Sequence, residues 1–374
     1  MMDIQELLTG YDLKNLTVGS IGSHSALDIS AGAKKQGFRT LVVAERGRDQ
    51  TYDKYFKRQG ELGCVDECLV LEKFKQLLDE DSQQQLRDRS TVFVPNRSFE
   101  VYLDFDYQAI ENDFKVPVFG NRALLKIEER GKEMNQYDVL AAADLRFPKQ
   151  FTDPGHIDRL CLVKVLEAER GFERAFFLAW DKKSYEQKVE EGLKAGKFTQ
   201  AQLADQVIEE FVVGAPVNFN FFFSPLTGEL ELLGTDTRRQ TNLEGVLRLP
   251  SKEQAMALEA LDIKYEEAGH MAVTVLESML EEAFAMGERF VTAARKLFDP
   301  GVIGPFALQA IVTPGPPKKE IVVIDVSPRM PGSPGITATP YTTYRYGRPV
   351  GVGERVAMEI KQAADSGRLG DILS

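Results

Sequence analysis

Five short apolar runs separated by helix-period segments fill the first third of the chain, and this alternation constrains the fold more than any other feature. The runs are Leu16 to Ile21, Thr40 to Ala44, Val65 to Leu71, Thr91 to Val94 and Val116 to Phe119. Runs this short, largely apolar and bounded by turn residues, are buried on both faces. Together with the intervening helices they predict a parallel α/β sheet. In such a sheet ligands bind beyond the carboxyl ends of the strands. The loops at those ends hold His24, Arg48 and Ser98. The first of them, Gly22-Ser23-His24-Ser25-Ala26, is a turn of small residues between a strand and a helix, a place where free N–H groups can meet an anion.

The rest of the chain reads differently. Residues Ala123 to Asp144 are charged and helical, and Phe147-Pro148-Lys149 reads as the start of a new unit. Cys161 to Val165 is a short strand that contains Lys164, Val207 to Val213 is another, and Val217 to Ser224 with Gly228 to Gly234 forms a hairpin. His270 to Leu297 reads as one amphipathic helical region, and His156 and His270 read as structural. Phe306 to Val312 and Glu320 to Val326 are strands joined by a Pro/Gly turn, and a helix runs from about Val352 to Asp365. The expected architecture is α/β, with α+β character in the second part. A Rossmann-like domain covers residues 1–122 and a second domain covers 123–374.

Composition excludes several classes. With 374 residues and 43% hydrophobic content the chain can bury a full core without disulfides. Its 46 basic against 57 acidic residues give a net charge of −11, which argues against a general nucleic-acid binder. The three cysteines form no disulfide framework, and Cys64 and Cys68 lack a second Cys/His pair at zinc spacing. The first ten residues carry Asp3 and Glu6 and do not read as a signal peptide, and no stretch of about 18 apolar residues occurs. The expectation is a cytoplasmic protein of a reducing compartment, without membrane or nucleic-acid partners.

Three places carry chemistry. Gln309 on one strand, and Asp325 and Ser327 on the next, offer hard oxygen ligands of the kind Mg²⁺ takes together with nucleotide phosphates. Arg329, two residues beyond Ser327, falls on the same face of an extended chain and can hold a carboxylate or phosphoryl oxygen. Spacing alone also fits an ordinary polar strand end. The pair Glu209-Glu210 heads an apolar strand, as an adenine-binding hinge would. Lys164, among Leu162, Val163 and Val165, needs an anion if its head is buried, or snorkels to water at a sheet edge.

In this order the pieces resemble an ATP-grasp ligase, and more closely the archaeal formate–phosphoribosylaminoimidazolecarboxamide ligase family. The resemblance spans nearly the whole chain. It runs through Gly22 to Leu27, Gly47-Arg48-Asp49 with Tyr52, Val94-Pro95 with Ser98-Phe99, and Val116-Pro117 with Phe119 to Arg122. It continues through Ile208 to Gly214, Ser224 to Leu226, Glu231 to Gly234, Asn242 with Gly245, Ile303 to Gln309, and Ser327 with Arg329. The resemblance implies ATP and Mg²⁺ as cofactors, formate and aminoimidazole carboxamide ribonucleotide as substrates, a place in IMP biosynthesis, and a homo-oligomer. It implies that His24, Ser98 and Asn242 touch the ribonucleotide and that Gln309 and Asp325 hold Mg²⁺. It further implies that Lys164, Glu209 and Glu210, with Lys149 as a further phosphate contact, hold ATP. Arg329 is the catalytic candidate, steadying an acyl phosphate.

The chain departs from that pattern in places. The family's phosphate-covering loop is glycine-rich, whereas Val165 to Phe176 here keeps only Gly171 and carries Glu167, Glu169 and Glu173 beside Arg170 and Arg174. Asn96-Arg97 stands where the family has histidine and glycine, and Asp325 where it has glutamate. These departures keep two further readings open: a ligase for another acid or amine, and a nucleotide-binding paralogue without turnover.

Overall fold

The computed structural model describes residues 4–129, 133–165, 176–204, 206–261, 267–315 and 317–374. Thirteen strands among them form three sheets. The first is parallel: β1 (Thr17–Ile21), β2 (Arg39–Glu45), β3 (Glu67–Leu71) and β4 (Thr91–Phe93), in spatial order β3-β2-β1-β4. The order reverses next to β1, which puts the β1 and β4 loops side by side. The fifth expected strand, at Val116 to Phe119, is reduced to a single parallel bridge, Phe93 to Val118. Phe119 turns away to bridge Leu373 instead.

A small antiparallel sheet follows, made of β5 (Gln150–Phe151), β6 (Cys161–Lys164), β7 (Phe176–Ala179) and β8 (Val207–Glu210), in order β5-β8-β6-β7. Its core is thin: Phe151, Ile157, Cys161, Val163, Ala179 and Ile208. The strand expected to reach Val213 stops at Glu210. The stretch 166–175, which contains the altered phosphate-covering loop with Arg170 and Arg174, lies outside the described residues.

The third sheet is the structural centre of the second part. It joins β9 (Ala215–Ser224), β10 (Glu229–Gln240), β11 (Glu267–Ala272), β12 (Gly304–Thr313) and β13 (Glu320–Ser327), in order β11-β10-β9-β12-β13. One face is packed by Phe219, Phe221, Phe306 and Leu308 against Phe290, Met286 and Ala294 of the helix Leu280–Leu297. Here the structure corrects the sequence reading. The amphipathic helix starts at Leu280, not His270, and His270 lies on edge strand β11.

The core does not divide at residue 122. Leu16, Val18, Ile29 and Val92 of the first part pack with Phe222, Leu233, Val352, Val356 and Ile360 of the second. The helices Ala26–Lys35 and Val352–Ser366 meet almost backbone to backbone. A Cβ on Gly32 would strike Gly353 and Glu354, and one on Gly353 would strike the Asp28 carbonyl, so only glycine fits at both positions. The contact is edged by polar groups. The Gly353 N–H donates to Asp28 Oδ2 at 3.2 Å, and Lys35 pairs with Glu354 at 3.0 Å. Burial pushes the Asp28 carboxyl up to about 6. Among the described residues no helix is long and apolar enough to cross a membrane.

Candidate active site

The polar face of the third sheet opens on a cavity of about 230 Å³. Strand alternation sends Phe219 and Phe221 to the core and Asn218 and Asn220 to the opposite face. Pairing across the sheet then aligns side chains from four strands at one level. Asp236 of β10 is opposite Asn218 of β9, Asn218 is opposite Gln309 of β12, and Gln309 is opposite Asp325 of β13. One step along, Asn220 is opposite Ala307 and Ala307 is opposite Ser327. The Gln309 amide donates to Ser327 Oγ at 3.3 Å. Thus Gln309, Asp325 and Ser327, expected on one face, do come together, and all three line the cavity.

At the β10–β11 edge lies a cluster the sequence reading missed. Asp236 is buried and accepts from Asn218 Nδ2 at 2.9 Å and from Asn220 Nδ2 at 2.6 Å, and it binds His270 Nδ1. His270 Nε2 is 2.8 Å from Glu267 Oε1, and Arg238 pairs with Glu267 at 3.3 Å. Burial by itself would lower His270, but hydrogen bonds to two carboxylates outweigh it and push the imidazole up to about 9. His270 is therefore a cation at neutral pH. The alternation of Asn218 and Asn220 with Phe219 and Phe221 was a readable sign of this polar face.

The facing wall comes from the first part and from the loop after β13. His24, in the β1 loop, has a left-handed backbone with φ 53°. Its Nδ1 is 2.8 Å from Ser25 Oγ, and Ser25 Oγ donates to the Pro331 carbonyl at 2.6 Å. The serine proton being used, the Nδ1–H of His24 donates to Ser25 and Nε2 keeps its lone pair. Burial, and then the nearby Arg329 charge, push His24 down to about 3, so the ring is neutral. Gly332 lies directly against this ring, 2.6 Å from Nε2 to where a Cβ would sit.

Arg329 is buried and held between two acids. It lies 3.0 Å from Glu128 and 3.6 Å from Glu100 Oε1. Arg97, which lines the same cavity, is 2.5 Å from Glu128 and 3.4 Å from Glu100 and stacks on the Phe105 ring. Burial, with the neighbouring Glu128 charge, holds Glu100 well above the ordinary carboxylate range. This four-residue cluster ties the β4 loop, the segment after Asn121 and the loop after β13 into one wall. Asn96, fully buried, adds to it by donating to the Ile21 and Ser23 carbonyls at 3.1 and 3.2 Å, which fixes the β1 loop.

The other sequence candidates fall around this cavity rather than in its lining. Ser98 is buried one residue beyond Arg97, and its N–H donates to Asn96 Oδ1 at 3.0 Å. Asn242 is half-buried on the short helix Thr241–Leu247 beyond β10. Lys164 of β6 pairs with buried Glu209 of β8, and Tyr137 donates to the same carboxylate at 2.8 Å. Glu210 points to the other face, where it meets Arg146 at 2.6 Å and accepts from the Lys149 N–H at 3.1 Å. Glu209 and Glu210 therefore do not converge on one ligand. The Lys149 ammonium turns to Asp158 at 2.8 Å and sits over the Phe151 ring.

These residues fit the groups the sequence implies. Gln309, Asp325 and Ser327 form an all-oxygen set with one carboxylate, which suits Mg²⁺ that takes its remaining ligands from phosphates and water. Among the described residues no cluster of three or more His, Cys, Asp or Glu side chains competes for the role. Lys164 on the small sheet is held by the buried Glu209 carboxylate.

A parallel Rossmann-like sheet, a small antiparallel sheet and a large antiparallel sheet in this order make up an ATP-grasp-type fold. N5-carboxyaminoimidazole synthetase from Staphylococcus aureus, solved with ADP, shares the fold, with a TM-score of 0.58 at 11% identity over 92% of this chain and 76% of that one. Family models described as "Domain of unknown function (DUF1297)" and "Protein of unknown function (DUF1246)" match residues 184–374 and 18–151. The 5-formaminoimidazole-4-carboxamide-1-(beta)-D-ribofuranosyl 5'-monophosphate synthetase of Methanopyrus kandleri is 38% identical over 373 residues, covering 100% of this chain and 99% of that protein. The crystal structure of an IMP biosynthesis protein PurP from Thermococcus kodakaraensis aligns with a TM-score of 0.70 at 27% identity, over 96% of this chain and all of the other. The chain belongs to the 5-formaminoimidazole-4-carboxamide-1-(beta)-D-ribofuranosyl 5'-monophosphate synthetase family.

Proposed function

We propose that the protein joins formate to 5-aminoimidazole-4-carboxamide ribonucleotide at the expense of ATP, giving the formamido ribonucleotide, ADP and phosphate. The observation that carries this reading is the cavity itself. The Gln309–Asp325–Ser327 oxygens and the buried Arg329 face the His24 loop across a space sized for small reacting groups.

Formate is an anion with no leaving group. A formate oxygen takes the γ-phosphoryl group of ATP and releases ADP, and the resulting formyl phosphate is an acylating agent. The ring amine attacks the formyl carbon, the C–O bond to phosphate breaks, and the amine loses a proton. Gln309 and Asp325 would hold Mg²⁺, which would supply charge neutralisation on the transferred phosphoryl group. Arg329, held in place by its 3.0 Å hydrogen bond to Glu128, steadies the acyl phosphate. The neutral His24, with its lone pair on Nε2, accepts a hydrogen bond from the amine. An amine conjugated to an imidazole ring is a weak nucleophile, so holding it against the formyl carbon does much of the work. Ser98 and Asn242 serve the ribonucleotide, and Lys164 with Glu209 serves ATP from the small sheet, while Glu210 on the other face stays with Arg146 and the Lys149 ammonium with Asp158. We place the enzyme in the cytoplasm as a homo-oligomer acting on small molecules.

The test is ADP release with ATP, Mg²⁺ and the ribonucleotide, with and without formate. Release that needs both substrates, with formamido product appearing, supports the proposal. A second reading, a ligase for another acid or amine, draws on Arg97, which fills one side of the cavity where the related enzymes it resembles have glycine. ADP release with a different acid or amine, and none with formate, would favour it.

A further inference from the structure

The Asp236–His270 cluster acts on the cavity through two asparagines. Asp236 takes one amide on each carboxylate oxygen: Asn220 Nδ2 donates to Oδ1 at 2.6 Å, and Asn218 Nδ2 donates to Oδ2 at 2.9 Å. Burial would raise the Asp236 carboxyl, but hydrogen bonds from His270, Asn220 and Asn218 outweigh it and hold it below the ordinary carboxylate range. Asp236 is thus ionised and can only accept. An asparagine amide has a donor end and an acceptor end, so each NH₂ that turns to Asp236 turns its carbonyl oxygen away.

Those two oxygens are unused. Asn218 is 8% exposed and Asn220 1%, and both line the cavity. Neither Oδ1 meets a hydrogen-bond donor among the described residues. A buried acceptor left unpaired costs about 1–3 kcal/mol, so two of them beside a cavity suit a guest that brings N–H groups. Strand register leaves room next to them. The residue opposite Asn220 on β12 is Ala307, and its methyl group opens a slot in the polar row before Ser327. This edge offers an anion no spare charge: Arg238 is paired with Glu267, and His270 with Asp236 and Glu267, so two cations meet two carboxylates.

We infer that Asn218 and Asn220, turned by Asp236, accept the N–H groups of the ribonucleotide's carboxamide and so select it over a carboxylate at the same position of the ring. The inference rests on the proposed function and adds the group by which the base is told apart. Asp236 is a positioning residue, since it reaches the base only through the two amides. A carboxamide offers two N–H donors to the two oxygens. A carboxylate of the same shape offers none and sets its own oxygens against them, so both buried acceptors stay unpaired.

The experiment measures kcat/KM for the ribonucleotide and for its carboxylate analogue in wild type, Asn218→Leu and Asp236→Asn. Wild type prefers the carboxamide by about 100-fold or more. Asn218→Leu keeps the volume and removes the oxygen. It lowers kcat/KM for the carboxamide about 10- to 100-fold, chiefly through KM, and leaves the carboxylate unchanged. Asp236→Asn frees the amides to turn their NH₂ groups into the cavity, so the carboxylate gains about 10-fold while the carboxamide loses. A merely structural defect would lower both alike. KM for ATP and the Mg²⁺ requirement hold in both variants. An unchanged preference or equal losses with the two nucleotides in Asn218→Leu would overturn the inference. So would a raised Mg²⁺ requirement in that variant, which would put Asn218 with Gln309 and Asp325. If wild type makes no formamido product, the proposed function fails, and calorimetry of the two nucleotides against wild type and Asn218→Leu then decides the subsite alone. A carboxamide preference that the variant loses supports it, and equal affinities in wild type overturn it.

Discussion

The two antiparallel sheets hold their ligand groups in opposite ways. The five-stranded sheet is backed by a continuous aromatic core, with Phe221, Phe306 and Phe290 stacked ring to ring at 5.3 and 5.4 Å. Its polar row is set by strand register, so Gln309 and Asp325 cannot move apart without breaking the sheet. The four-stranded sheet rests on six buried residues, and the Lys164–Glu209 pair supplies part of what holds it. The lesson is a division of labour: the large sheet fixes its polar row by register over a deep aromatic core, and the lightly built one has few contacts to lose.

Breaking the rigid side has the largest expected effect. Phe306→Ala removes a ring from the centre of the stack and lowers global stability by about 3–5 kcal/mol, read as a shift of the denaturant midpoint. On the light side, Lys164→Met leaves Glu209 buried without its partner and costs about 3 kcal/mol. Hydrogen exchange should localise that loss to β6 and β8, and adding Glu209→Gln should restore most of it. A loss spread over all three sheets would erase the contrast.

Asp325→Asn separates chemistry from stability. A neutral amide binds Mg²⁺ far less well than a carboxylate, so Mg²⁺-dependent turnover should fall by about 100-fold or more while the melting temperature holds. Unchanged turnover would remove Asp325 from the metal site.

The edge of the rigid sheet carries a pH signature. His270 is raised from its ordinary value to about 9 in the folded protein. Its stabilisation is therefore complete below about pH 6.5 and is lost as pH rises through 9. Allowing for its partial exposure, roughly 1–2 kcal/mol should disappear over that window, and His270→Gln should flatten the profile. The smallest effect is expected from Tyr137→Phe, which deletes one hydrogen bond to Glu209 and costs about 1 kcal/mol, again confined to the small sheet.

What could be read from the sequence follows the same division. Strand period 2 was enough to put Gln309, Asp325, Ser327 and Arg329 together, because the two strands are close in sequence and their apolar residues mark the buried face. The parallel sheet was legible from apolar runs, except at Val116 to Phe119, where pairing with Leu373 takes the chain out of the sheet. His270 was missed because β11 has no clear alternation and its partner Asp236 is 34 residues away. The cluster of Glu100, Glu128, Arg97 and Arg329 was equally hidden: its members come from three distant loops, and only the tertiary fold shows that two arginines meet two buried acids.

The glycine contact between the helices Ala26–Lys35 and Val352–Ser366 carries a consequence for the order in which the molecule can be made. One face of the parallel sheet's first helix is covered by residues more than 300 positions later, as the Asp28–Gly353 bond spans 325. During synthesis that face stays bare until the last helix has left the ribosome, however early the strands of the first sheet pair. Completion of the Rossmann-like part is therefore a late event, tied to the arrival of the chain's far end rather than to its own translation.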